Sequence, residues 1–169
     1  MDSGLADQLD GPWSAEEIPN NDLLYMRVHR NMVEHDLPVI GVFRNRPDPA
    51  QSELPPGMST DWNRYSTPQQ TRERARSSRP EDNGVISLNV GHVRGIYGQQ
   101  VDHTPRYRVL ENPEDPNNRA HTDVSGRKSP KETNDPQERV RLLRIRVEFQ
   151  EISRWEIPAP DRKPQATTS

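Results

Sequence analysis

Cysteine is absent from this 169-residue chain, which excludes disulfides, thiolate nucleophiles and cysteine-bound metals. Apolar residues are scarce as well: 29% of the chain is hydrophobic and 5% aromatic, against a usual apolar share of roughly half. Leu, Ile, Val and Phe together number 31, enough for a modest core diluted by loops. No apolar run approaches the roughly 20 residues that cross a bilayer, so no membrane association is expected. The opening MDSGLADQLD is acidic and lacks the basic start and apolar centre of a signal peptide, and the cytoplasm is the expected location. Lysine is rare, three against 20 arginines, yet the net charge is only −3. That balance is too small for self-repulsion to hold the chain open, and it is not the basic excess of a dedicated nucleic-acid binder.

Proline is abundant, at 17 residues, and each one interrupts a helix or strand. The expected architecture is a small single α+β domain over residues 21–157, with short strands, two main helices and long polar loops. An acidic flexible arm is expected over 1–20, with the alternative that Trp13 docks it on the body or a partner. A disordered Pro-rich tail is expected over 158–169. Leu23 to Val28 and Val39 to Phe43 are predicted strands around a turn at His35-Asp36-Leu37-Pro38. Met58 to Trp62 is a short strand or sheet edge. Thr67-Pro68-Gln69-Gln70 is a helix start, with Thr67 as cap, Pro68 in the first turn and Gln70 reaching back; that helix is expected over 67–78. Gly84 to Val90 alternates as a strand, followed by a short helix over 91–98. Val101 to His103, Tyr107 to Leu110 and Arg119 to Val124 are predicted to be extended. A second helix opens at Asp135-Pro136. Its apolar pattern changes from helical spacing to alternation at Ile145, Val147 and Phe149, which predicts a helix over 135–143 and a strand over 144–150.

No metal site is predicted. The five histidines (29, 35, 92, 103 and 121) show no helical zinc-site spacing. His103 and His121 each precede a threonine, but two-histidine phosphoesterase chemistry needs one residue between them so that both side chains share a strand face. No nucleophile elbow surrounds Ser59 or Thr60, and neither a Walker loop nor a G-x-G-x-x-G fingerprint occurs. No cofactor is expected. If the chain is an enzyme, His29, His121 and Arg27 are the candidates, because all three fall on or near predicted strand ends. Arginines form the second candidate set. Arg72, Arg76 and Arg79 share a helix face, provided the last turn holds, and Arg144 belongs to a cluster with Arg139, Arg141 and Arg146. Such faces could grip phosphates or an acidic protein surface, or simply be solvated.

Two resemblances accompany this reading. Tyr25 to His29, Phe43 and Ser59-Thr60 loosely resemble the start of the ADP-ribosyltransferase-like fold. There, a strand-borne Arg or His and a later Ser/Thr strand surround a nicotinamide-type cofactor; Glu148 and Glu151 match its glutamate by position only, and the resemblance is not adopted. The blocks 25–29, 59–72, 84–93, 101–105 and 118–126 together resemble a family of small bacterial proteins of no assigned activity, which implies a real fold and no particular chemistry. The function expected is therefore that of a small non-catalytic accessory or interaction protein, a subunit of a larger bacterial assembly. A protein partner is expected and self-association is compatible; nucleic acid is possible but not favoured. The alternative is a small toxin- or defence-type enzyme acting on a nucleotide or NAD-like substrate.

Overall fold

Alternation in Leu23 to His29 sends Leu24 and Val28 to one side and Tyr25 and Arg27 to the other, and this strand becomes the organising element of the molecule. The computed structural model describes residues 13–43, 57–76, 78–106, 117–126 and 135–161. Within them, β1 (Leu23–His29), β4 (Met58–Trp62), β5 (Asn83–Asn89), β6 (Gln100–His103), β7 (His121–Ser125) and β8 (Arg154–Ile157) form one sheet in the order β6-β7-β4-β1-β5-β8. Every pairing is antiparallel. Strands β2 (Val33–Glu34) and β3 (Leu37–Pro38) make a separate small hairpin, turned by His35 and Asp36 at positive φ. The helices are α1 (Pro68–Glu73), α2 (Val90–Gly95) and α3 (Pro136–Ile152). This is the mixed α+β architecture expected from the strand and helix signals along the sequence.

The two faces of the sheet differ sharply. Leu24, Val28, Met58, Trp62, Ile86, Leu88 and Val124 line the apolar face and join Val90 and Val93 of α2 and Leu142, Ile145 and Phe149 of α3 in one core cluster. The only two phenylalanines of the chain, Phe43 and Phe149, stack there with centroids 5.6 Å apart. Alternate residues of the same strands face the other way. His121 opposes Asp61, which opposes Tyr25, and Tyr25 opposes Ser87, so the second face is predominantly polar, and α1 packs on it over β1 and β5.

Several boundaries differ from expectation. Ile40 to Val42 is a 3-10 turn, not a strand; its apolar residues pack beside α3 without joining a ladder. β4 is central, flanked by β7 and β1. The helix at Pro68 has the full capping box, with Thr67 and Gln70 bonded reciprocally at 3.1 and 3.0 Å, but it stops at Glu73. The Arg74 N–H is shared between the Gln70 and Thr71 carbonyls, the tightening that ends many helices. Helix α3 runs unbroken through 144–150, and the last strand follows it at Arg154. Both apolar patterns there belong to one helix: Leu142, Ile145 and Phe149 are buried, while Val140, Leu143 and Val147 are exposed. Tyr107 to Leu110 lie outside the described residues.

At the start, the expected arm is laid against the body from Trp13 onward. Ile18 is 1% exposed and belongs to the core. The Glu16 N–H donates to His103 Nδ1 (3.0 Å), whose Nε2 faces the Arg119 carbonyl at 2.6 Å. The Glu16 carboxylate meets the Tyr65 hydroxyl and lies 3.5 Å from Arg64. The Tyr65 bond, aided by Arg64 and Arg119, holds Glu16 below the usual carboxylate range. At the other end, the Asp161 carbonyl accepts from Arg30 Nε at 2.7 Å.

Candidate functional site

The polar face of the sheet gathers the side chains with chemical capacity. Asp61, 4% exposed, sits at its centre: Oδ2 accepts from Thr71 Oγ1 (2.8 Å) and Arg74 Nη1 (2.9 Å), and Oδ1 accepts from Asn118 Nδ2 (2.8 Å). Arg74 also donates to Ser66 Oγ at 2.7 Å. Arg27 crosses from β1 and donates to the Thr71 carbonyl at 2.7 Å. Burial pushes the Arg27 guanidinium below its ordinary range, Asp61 opposes that shift, and Arg74 and Arg76 reinforce it.

One strand further along, His121 is almost wholly buried. Its Nδ1 lies 3.0 Å from the Thr104 carbonyl and 2.9 Å from the Thr104 hydroxyl oxygen. A carbonyl only accepts, so Nδ1 carries the proton. The Thr104 hydroxyl in turn donates to Asp123 Oδ2 at 3.0 Å. Nε2 is left as an acceptor, 3.2 Å from Ser59 Oγ and 4.0 Å from Asp123 Oδ1. Burial, followed by the positive charge of Arg106, lowers the His121 pKa to about 4, against the opposing pull of Asp123, the Thr104 carbonyl and Asp61. The imidazole is therefore neutral at neutral pH.

Among the residues singled out from sequence, the fold puts Arg27 and His121 on this one face, linked through Asp61. His29 does not join them. It lies at the far end of β1, where Nδ1 accepts from the Asn31 N–H at 3.1 Å and caps a 3-10 turn. The shared face of Arg72, Arg76 and Arg79 does not form, because the helix ends before the last two. Arg72 staples backbone, donating from Nε to the Pro80 and Asn83 carbonyls. Arg76 donates to the carbonyls of Glu73 and Ala75, and Arg79 pairs with Glu81. Arg144 is exposed on α3, beside the apolar stripe of Val140, Leu143 and Val147. Ser59, Asp61, Asp123 and Thr104 were not singled out as a group, and no local motif marks them: Ser59 and His121 stand 62 residues apart and meet only through the β4–β7 register.

Among the described residues, no three His, Asp or Glu side chains are grouped to hold a metal ion, and no helix is long and apolar enough to cross a membrane. No protein-family model matches the chain, and no curated protein or solved structure does so either. Neither resemblance noted in the sequence therefore gains support from these comparisons.

Proposed function

We propose that this chain is an accessory subunit of a bacterial cytoplasmic assembly, docking on a protein partner through the outer face of α3. The observation that carries the reading is the exposed stripe of Val140, Leu143 and Val147, which are 51%, 42% and 38% exposed. Their i, i+3, i+7 spacing places them on one side of the helix, opposite the buried Leu142, Ile145 and Phe149. Tyr97, itself 55% exposed, lies under Arg141 of the same helix, whose guanidinium is 5.2 Å from its ring centroid. Arg139, Arg144 and Arg146 border it, so the fitting partner offers an apolar groove with an acidic rim. The test is native mass, measured on the complex purified from the host and on the Leu143→Glu variant. A defined assembly that the substitution dissolves, with helix content unchanged, supports the reading. A strict monomer in both cases rejects it.

A second reading has its own observation. Arg27 and His121, two of the three candidates for nucleotide or NAD-like chemistry, lie on the same polar sheet face. This reading expects nucleotide binding that Arg27→Ala and His121→Ala each weaken, measured by calorimetry. Equal titration curves for all three proteins would remove it.

A further inference from the structure

The polar sheet face pairs His121 with Ser59, a contact that neither reading uses. Ser59 is exposed, and its hydroxyl lies 3.2 Å from His121 Nε2. The opposite ring nitrogen is committed to Thr104, which fixes the tautomer, and Thr104 is itself anchored by Asp123. A hydroxyl on the free lone pair of an imidazole whose other nitrogen is fixed by a third group is the general geometry of an activated oxygen nucleophile. Burial secures the ring, while the hydroxyl that would react stands at the surface.

We infer that Ser59 is a nucleophile and His121 its general base, forming an acyl-transfer site for small activated esters or thioesters on the open sheet face. In the first step Ser59 Oγ bonds to the acyl carbon, and its proton passes to His121 Nε2. The bond from that carbon to the leaving oxygen or sulfur then breaks, and His121 returns the proton to the departing group. Water repeats the sequence on the acyl-serine, giving up its proton to Nε2, releasing the carboxylic acid and restoring the serine. Asp123, with Oδ1 4.0 Å from Nε2, stabilises the imidazolium formed between proton transfers. Arg106 lies near enough for its charge to act on His121. Asp61, on the neighbouring strand, is the remaining charged group acting on the ring.

The low basicity of His121 makes this a slow nucleophile suited to activated acyl groups. It also gives a signature that a merely structural serine would lack. The experiment is labelling of the whole chain with a fluorophosphonate probe, followed by peptide mass spectrometry and a pH series on the unmodified protein. The expected result is a single adduct on Ser59, absent from Ser59→Ala and slowed about a hundredfold in His121→Gln, in keeping with general-base assistance. In the unmodified protein, the rate should rise as pH passes about 4, where His121 loses its proton, and then level off. No adduct on chain shown to be folded by circular dichroism overturns the inference. So does an adduct on another residue, or a rate that climbs steadily with pH as uncatalysed attack by hydroxide-activated serine would. The pH series keeps the test decisive even if His121→Gln does not fold.

Discussion

Asp61 shows how much a single side chain can carry in a small core. Its carboxylate satisfies Thr71, Arg74 and Asn118 together and offsets the charge of the half-buried Arg27. Truncation takes away the charged partner of Arg74 and the acceptor of Asn118, leaving Arg74 and Thr71 only the Ser66 hydroxyl, and breaking a buried ion pair from one side typically costs about 3 kcal/mol or more. Asp61→Ala should therefore destabilise the chain by about that amount in urea denaturation, whereas Asp61→Asn, which keeps an acceptor oxygen, should cost less. His121 makes a second prediction, this one for pH. Its folded pKa of about 4 lies below the unfolded value of 6.5, so between those values the unfolded chain binds the extra proton. The contribution of His121 is fully present above about pH 6.5, declines as pH falls towards 4, and amounts to at most about 3 kcal/mol. Denaturant midpoints measured from pH 7 to 4 should fall over that window, and the fall should shrink in His121→Gln.

Helix α3 holds the clearest lesson about what local sequence can and cannot convey. The cap at Asp135, whose carboxylate accepts from the Gln137 N–H at 3.0 Å, and the capping box at Thr67 are legible because each depends on neighbours within one turn. The continuation of α3 through 144–150 is not. Ile145, Val147 and Phe149 alternate with charged residues because the helix has two apolar sides, one packed and one exposed, and their superposition imitates a strand. Only tertiary packing against the 3-10 turn at Ile40 to Val42 tells the two apart. Phe149→Ala should accordingly cost about 4 kcal/mol, since it removes a fully packed aromatic and leaves a cavity against Phe43. Val147→Ala, at an exposed position, should be nearly neutral to stability in the isolated chain. The same thermal melts, run side by side, check both. The polar site was half legible for a similar reason: Arg27 and His121 stand out by residue type, but Ser59 acquires its neighbour through strand pairing that leaves no trace in adjacent residues.

At the scale of the whole molecule, both ends of the described chain are fastened to the sheet: Ile18 is in the core, and Ala159 runs against Gly84. A Cβ at Gly84 would come within 2.5 Å of the Ala159 nitrogen and 2.6 Å of the Ile157 carbonyl oxygen. Both are backbone atoms unable to turn aside, so Gly84→Ala should displace the final strand and cost about 2 kcal/mol, as overpacking does. Hydrogen exchange should show the loss of protection concentrated in 154–157 and spreading least to β6 and β7. Strand order carries a consequence for synthesis. Among the described strands of the sheet, the first in chain order is among the most central, yet its neighbours arrive only from Met58 and then from Asn83, and the edge strand β8 follows all of them. A growing chain must therefore leave its hydrogen-bonding groups and the apolar face of Leu24 and Val28 uncovered for much of translation. Such late, long-range pairing favours slow folding and transient adhesion. This protein's yield in the cell should respond to chaperone supply more strongly than its modest length suggests.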